Sequence, residues 1–260
     1  MLELAVRDRS ERTVRMLLGE RTLRLQTRLD LLDILMDWRP AARLLLSRGG
    51  GAETAARLCV AVGLVPVVDP SMVWQPRASA TNPYVDQIVQ PTGDDGAEAL
   101  IALFVARTQD AARTALEADH SADDERLGVA LGYPTCCISF VKNRSGVPTL
   151  AESLQLYSRD GEFDPFIWPA AALNDAGLLP HYPCGIECSA SRALAARRLG
   201  KLARLGPAEE RERVWMTARA AFGQDAAGRV TMRAVDRSVS GHGGWLTPRR
   251  PLPDVGMSHD

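Results

Sequence analysis

Four of the five cysteines form two tight pairs, and these thiols are the residues of the chain best suited to chemistry. Cys136 and Cys137 are adjacent in GYPTCCISF, and Cys184 and Cys188 are separated by three residues in HYPCGIECSAS. Each pair lies just before a predicted helix or in its first turn. The free N–H groups there stabilise a thiolate, the form of cysteine that binds a metal or attacks a substrate. Two such helix starts facing each other would form a pocket of four thiolates.

The spacing within the pairs helps to decide between a zinc ion and an iron–sulfur cluster in that pocket. It is not the CxxC…CxxC spacing typical of zinc. Neighbouring side chains at a helix start diverge by roughly 100°, which makes it awkward for adjacent cysteines to reach one ion. The separated corners of an iron–sulfur cluster tolerate that divergence better. The pattern therefore favours a cluster of the 4Fe–4S type, with zinc as the alternative, held by Cys136, Cys137, Cys184 and Cys188.

Other interpretations of the thiols stay open. One of the two adjacent cysteines could be free for chemistry, with Cys137 as the reactive thiol. The pairs could also be metal-free dithiols for redox or sulfur transfer, or structural residues. Cys59 differs from the other four, because it lies within an apolar predicted helix, where packing in the core is the better interpretation.

Further candidate residues surround the cysteines. His181 precedes Cys184 by three residues and could supply a nitrogen ligand or a proton; the alternative is a loop histidine bonded to the backbone. Glu187 could act as an acid or base, or be a solvated turn carboxylate. Two tyrosines could wall the site or pack the turns, and three arginines could bind an anionic substrate or form a solvated helix face. These are Tyr133, Tyr182, Arg192, Arg197 and Arg198.

Residues 121 to 205 resemble a family of proteins of unknown function. The resemblance rests on LGYPTCCISF and LLPHYPCGIECSASRAL, which match a GYP-x-CC motif and an H-x-P-C-x3-C-x-x-S motif at a helix start. It implies that the two motifs form one site, and it implies no particular reaction. The positions that carry it are Gly132, Tyr133, Pro134, Cys136, Cys137, His181, Pro183, Cys184, Cys188 and Ser191.

The composition of the 260-residue chain limits the kinds of partner that we expect the protein to bind. Apolar residues make up 46%, charged residues 24%, and the net charge is −1, which predicts neither nucleic acid nor an anionic membrane as a partner. The N-terminus is charged from its third residue, unlike a secretory signal, and the apolar runs are too short to span a bilayer. We therefore predict a cytoplasmic protein, a compartment in which thiols stay reduced.

The elements expected to position the site predict an α/β or α+β fold. The first 120 residues show a hairpin over 3–27, helical spacing over 30–46 broken near Pro40, helices over 52–62 and 109–120, and strands over 64–68 and 98–107. Residues 121–233 are predicted to be mainly helical. Ser121, Thr135 and Ser189 are the expected caps, the last of a helix that ends at Gly206, and a further helix is expected over 208–222. Residues 234–260 are predicted to form a flexible tail.

Together these patterns predict a metal- or cluster-dependent enzyme for redox or sulfur-transfer chemistry. Its partner would be a small-molecule substrate or a redox protein. The rival hypotheses are a non-catalytic module with a structural zinc and a metal-free dithiol protein.

Overall fold

A computed structural model describes most of the chain up to residue 144 and the segments around the second cysteine pair. The described residues are 2–47, 50–76, 86–89, 100–121, 123–144, 158–159, 162–163, 177–185, 187–212, 214, 222–224 and 230–232. The helices are α1 (Leu2–Gly19), α2 (Leu25–Leu35), α3 (Gly50–Ala61), α4 (Gln109–His120), α5 (Asp124–Ala130), α6 (Thr135–Asn143) and α7 (Ser189–Leu205). The strands are β1 (Ala41–Ser47), β2 (Val65–Pro76), β3 (Asp86–Val89), β4 (Leu100–Ala106), β5 (Ser158–Arg159), β6 (Glu162–Phe163), β7 (Phe222–Gln224) and β8 (Val230–Met232). The tail predicted over 234–260 lies outside the described residues.

The main sheet has four antiparallel strands in the order β1-β4-β2-β3. Because β1 and β2 both run antiparallel to β4, they are parallel to each other, and α3 connects them as a split β-α-β unit. Strands β5 and β6 form one small hairpin, and β7 and β8 form another. The predicted mixture of helices and strands is confirmed, and the antiparallel sheet makes it an α+β arrangement.

The central strand β4 is covered on both faces. Leu103 and Val105 face a large core, whereas Ala102, Phe104 and Ala106 face a smaller core beneath α4. All five are fully buried. This explains the continuous apolar run in the sequence, because a strand buried on both sides needs no polar alternation.

The large core joins α1, α2, α3, one face of the sheet and α7. The hairpin predicted over 3–27 is wrong, because this stretch forms α1 and the start of α2. Buried Val14, Leu17 and Leu18 have the i, i+3, i+4 spacing of a helix face, and the chain turns after Gly19. In that turn, the backbone N–H of Thr22 donates a 3.1 Å hydrogen bond to the carboxylate of Glu20.

Helical spacing was also predicted too far along the chain after residue 30. Helix α2 ends at Leu35, and residues 41–46 belong to strand β1. Proline at position 40 cannot donate a backbone hydrogen bond and disfavours helical geometry in the residue before it. The helices predicted over 52–62 and 109–120 and the strands over 64–68 and 98–107 are confirmed within a few residues, although β2 extends to Pro76.

The helices around the cysteines begin differently from the prediction. The side chain of Asp123 caps α5 by accepting a 3.0 Å hydrogen bond from the Arg126 N–H, and Ser121 instead ends α4. Thr135 is the first residue of α6, whose cap is Pro134, and Cys188, not Ser189, caps α7. Neither Pro134 nor Cys188 makes a side-chain cap hydrogen bond.

The helix predicted over 208–222 is confirmed only in part, and residues 215–221 lie outside the described residues. Residues 208–212 and 214 are helical, whereas Phe222 begins strand β7. Among the helices that the structure describes, none combines the length and the apolar character that crossing a membrane requires.

Candidate metal centre

Four cysteine sulfurs converge between the starts of α6 and α7. The Sγ atom of Cys136 lies 3.9 Å from that of Cys137 and 3.8 Å from that of Cys188. The Cys137 and Cys188 sulfurs are 3.6 Å apart, and with Cys184 all four sulfur atoms lie within 4.8 Å of one another. The two predicted pairs therefore form one group, the cysteine cluster (Cys136, Cys137, Cys184 and Cys188), which could hold a metal.

A tight turn places the first pair at the start of α6. Gly132 adopts φ +70°, and a Cβ atom at this position would lie 2.4 Å from Cδ of Pro40, so only glycine fits. The backbone N–H of Cys137 then donates a 2.9 Å hydrogen bond to the carbonyl of Pro134, which closes the first turn of α6. Cys136 and Cys137 are thereby held in the first turn of α6.

The second pair is carried by the turn that leads into α7. The N–H of Cys188 donates to the Gly185 carbonyl at 3.1 Å, and the Cys188 carbonyl accepts from the Arg192 N–H at 2.9 Å. Cys188 is thus both the end of the turn and the cap of α7. This arrangement brings Cys184 back over the helix start, next to Cys188.

Ser191, one turn into α7, lies directly behind two of the sulfurs. Its hydroxyl donates a 3.2 Å hydrogen bond to the Cys188 sulfur and lies 3.5 Å from the Cys137 sulfur. On its other side, Nε2 of His181 lies 2.9 Å from the same oxygen. A proton on Nε2 satisfies both contacts, which makes a chain from imidazole to hydroxyl to sulfur. Nδ1 of His181 is buried and has no hydrogen-bond partner among the described residues.

Tyr133 lies beside His181, and Arg39 lies over the ring of Tyr133. The ring of Tyr133 lies 5.2 Å from the imidazole, centroid to centroid, and the Arg39 guanidinium lies 5.1 Å from the Tyr133 ring centre. Burial lowers the pKa of His181 to about 3, and the nearby charges of Arg39 and Arg198 act in the same direction. His181 is therefore neutral at physiological pH, and its single proton can still lie on Nε2.

A buried charge network (Asp30, Asp33, Arg39 and Arg198) ties together the segments that carry the cysteines. The Arg198 guanidinium, on α7, donates to Asp30 at 2.6 Å and to Asp33 at 2.5 Å, both on α2. It also donates to the Leu178 carbonyl at 3.2 Å, just before His181 in the chain. Arg39 donates to the Leu131 carbonyl at 2.9 Å, next to the turn that enters α6. The network thereby holds in place the segment before His181 and the turn that enters α6.

The protonation of the thiols differs across the cluster. Burial raises the pKa of the Cys137 thiol, and it raises that of Cys184 to about 11. Burial acts in the same direction on Cys188, but there the hydrogen bonds, first of all that of the Ser191 hydroxyl, prevail and lower the pKa to about 7. Without a cation, two of these neighbouring sulfurs therefore keep their protons at neutral pH.

The residues predicted to act in catalysis have separate locations. Cys137 is buried within the cluster. His181 is buried behind Ser191 and reaches the sulfurs through that hydroxyl, not as a fifth member of the cluster. Glu187 is exposed in the turn before α7. Cys59 is fully buried in α3, and the prediction that it packs in the core is confirmed.

The arginines on α7 do not form one solvated face. Arg198 is fully buried in the charge network, and the guanidinium of Arg197 lies 5.3 Å from the ring centre of Trp38. Sequence reasoning missed Asp30 and Asp33, which hold Arg198. The signal that could have revealed them is the pair of carboxylates at i, i+3 in LQTRLDLLDIL, a helix otherwise rich in leucine.

Compared with known proteins, the chain matches no family model, no curated protein and no solved structure. The resemblance of residues 121–205 to a family of unknown function therefore stays a prediction. The arguments about function rest on the geometry of the cysteine cluster.

Proposed function

We propose that the cysteine cluster binds a single metal ion through four thiolates, with Zn²⁺ as the best-fitting ion. We also propose that the bound thiolate performs group-transfer chemistry on a small molecule. The observation that carries the first proposal is the spacing of the sulfurs. A tetrahedron with metal–sulfur bonds of 2.3 Å has edges of about 3.8 Å. The separations among the sulfurs of Cys136, Cys137 and Cys188 are 3.6, 3.8 and 3.9 Å.

The chemistry of the four ligands also supports a cation. Thiols crowded within 4.8 Å cannot all ionise unless positive charge compensates them. A bound metal ion stabilises thiolates and releases their protons, so binding should strengthen as the pH rises. Thiolates are soft ligands, and a tetrahedral set of four is typical of zinc or iron.

An iron–sulfur cluster is the rival occupant. In a 4Fe–4S cluster each cysteine binds a different iron atom, so the four sulfurs lie farther apart than on one ion. The divergence of adjacent side chains was the reason to favour a cluster, yet the Cys136 and Cys137 sulfurs both lie within 4 Å of the Cys188 sulfur. The spacing therefore favours one ion over the 4Fe–4S cluster.

A single zinc ion changes which reaction is favoured. Zn²⁺ has no redox chemistry, so a zinc site supports sulfur transfer or another thiolate reaction and not electron transfer. Four protein ligands are also the pattern of a structural zinc, the non-catalytic alternative. Exposure of Cys136 favours the reactive interpretation, because a purely structural site has no need of an accessible sulfur.

Anaerobic purification of the full chain, with metal analysis and an ultraviolet–visible spectrum of the same sample, tests the proposal. We expect a colourless protein with about one zinc per chain. Replacement of zinc by Co²⁺ should give the intense visible bands of a tetrahedral thiolate site. A brown protein with acid-labile sulfide would establish the cluster instead. A protein that takes up no metal, even when reconstituted anaerobically, would contradict metal binding altogether.

Removal of the metal separates the reactive site from the structural alternative. A structural zinc is coupled to folding, so a chelator should then unfold the region around α6 and α7. For a reactive site held by the buried charge network, we expect circular dichroism to retain the helical signal after chelation. Loss of most of that signal would favour the non-catalytic module.

A further inference from the structure

The four sulfurs of the cysteine cluster differ in their access to solvent. Cys137 and Cys188 are buried, with 2% and 8% of their surface exposed, and Cys184 is half-buried. Cys136 is exposed, although its sulfur lies within 4 Å of two other sulfurs. A molecule that approaches the cluster from solvent therefore meets Cys136 first.

The sulfurs also differ in the hydrogen bonds that they receive. The Ser191 hydroxyl donates to Cys188 at 3.2 Å and lies 3.5 Å from Cys137, with His181 behind it. Among the residues that the structure describes, Cys136 has hydrogen-bonding contacts only with the other cysteines. A donated hydrogen bond withdraws electron density from a thiolate and makes it less nucleophilic. Cys136 therefore combines the best access with the fewest donors.

From this asymmetry, and given the single-ion site proposed above, we infer that Cys136 is the reacting thiolate of the centre. The other three cysteines hold the ion. The substrate class is a soft electrophile, either a primary alkyl carbon with a leaving group or the outer sulfur of a persulfide. Metal coordination keeps the Cys136 sulfur in its nucleophilic, deprotonated form.

The reaction balances without an oxidant or a reductant. A bond forms between the Cys136 sulfur and the electrophilic atom, and the bond from that atom to its leaving group breaks. The leaving group departs with the electron pair, as halide from an alkyl halide or as thiolate from a persulfide. Cys136 becomes a thioether or a persulfide, and the total charge is conserved.

Ser191 and His181 act as positioning residues in this scheme. By donating to Cys188, the hydroxyl favours that sulfur as a holding ligand, and the buried imidazole orients the hydroxyl. Both residues are buried, and the Ser191 hydroxyl contacts the sulfurs of the two buried cysteines, Cys137 and Cys188. In this scheme the buried cysteines hold the ion, and the exposed Cys136 reacts.

Alkylation of the zinc-loaded full chain tests the inference. The protein is treated with iodoacetamide in amounts below one equivalent, and peptide mapping by mass spectrometry follows each cysteine while zinc content is measured in parallel. We expect Cys136 to be modified at least about tenfold faster than Cys184 or Cys188, because accessible thiolates react first. Cys59, fully buried in α3, is the internal control and should stay unmodified.

Two matched variants sharpen the assignment. Cys136→Ser should abolish the fast modification, whereas Cys184→Ser should retain it at Cys136. Because Cys136 is exposed, its substitution leaves the core packing untouched. The wild-type measurement decides the question even if the Cys184 variant fails to bind zinc. A second reaction with inorganic polysulfide distinguishes the electrophiles, because transfer adds the mass of sulfur at Cys136.

The outcomes separate this inference from the proposed function. Zinc at about one per chain with equal modification of all four cysteines, or with Cys184 or Cys188 modified first, would overturn the role of Cys136 and leave the metal site intact. A chain that binds no zinc would overturn both. Fast, selective modification of Cys136 by iodoacetamide alone would assign the alkyl carbon, and by polysulfide alone the sulfur electrophile.

Discussion

The buried charge network and the cysteine cluster each contain four residues, and they differ in how their charges are satisfied. The buried charge network pairs the carboxylates of Asp30 and Asp33 with two guanidinium groups, and Arg198 alone makes contacts of 2.5 to 3.2 Å with both acids. The cysteine cluster brings together four groups, each of which is neutral as a thiol and negative as a thiolate. The first balances its own charges, whereas the second has no cationic side chain bonded to its sulfurs among the residues that the structure describes.

The difference separates a cluster that stabilises the fold from one that could hold a metal. Opposite charges in a buried network stabilise a fixed arrangement of α2 and α7 only while every partner is present. Thiols gathered at two helix starts have no such mutual attraction, and their arrangement becomes favourable when a cation binds. The charge network thus holds the geometry into which the metal would bind.

The largest effect should come from breaking the charge network. Asp33→Ala leaves Arg198 and Arg39 buried with one fewer carboxylate, and such losses cost about 3–5 kcal/mol of unfolding free energy. Urea denaturation followed by circular dichroism measures the change. The control is Arg57→Ala in the exposed pair with Glu53, which we expect to change stability by less than about 0.5 kcal/mol. Equal effects of the two variants would contradict a structural role for the network.

A second prediction tests whether the four cysteines bind one shared ion. Cys137→Ala and Cys184→Ala should each weaken zinc binding by about 100-fold, roughly 2.7 kcal/mol, because a ligand is lost. If all four cysteines share one ion, the double variant should be little worse than either single variant in stoichiometric binding assays. Cys59→Ala should bind zinc as the wild type does. Independent, additive losses would mean that the pairs form separate sites.

The turn before α6 offers a matched comparison of two glycines. Both Gly132 and Gly63 adopt positive φ, at +70° and +79°, so alanine at either should cost about 1–2 kcal/mol. At Gly132 the new methyl group would also lie 2.4 Å from Pro40, whereas nothing lies within 4 Å at Gly63. We expect Gly132→Ala to be the more destabilising in urea denaturation and to lower zinc affinity, with zinc affinity unchanged in Gly63→Ala.

The last prediction concerns the pH dependence of the unfolding free energy that His181 contributes, which is small for each pH unit. Burial lowers its pKa from 6.5 to about 3, so the unfolded chain takes up a proton in this window and the folded chain does not. The stabilisation is complete above pH 6.5 and decreases as the pH falls towards 3, by about 1.4 kcal/mol per pH unit. Urea denaturation at about pH 7 and pH 5, with chelator present to remove metal effects, should show a shallower slope for His181→Gln. Identical slopes would contradict a neutral, buried imidazole.

Local pattern was enough to predict the elements with strong periodicity. The apolar run of β4 and the helices α3 and α4 follow from residues adjacent in sequence. The start of the chain was mispredicted, because alternating charged and aliphatic residues fit a short strand as well as a helix face. Only the packing of Val14, Leu17 and Leu18 into the large core resolves that ambiguity.

The sequence by itself determined which residues could form the site. Two cysteine pairs at predicted helix starts were sufficient to single out all four sulfurs of the cluster, because helix-start preferences are local. Convergence of the four sulfurs within 4.8 Å was decided only by the tertiary structure, since it depends on contacts between segments far apart in the chain. The same packing buried Arg198 against Asp30 and Asp33 and left Cys136 exposed. Burial and the pairing of distant charges depend on the whole fold, which no local spacing encodes.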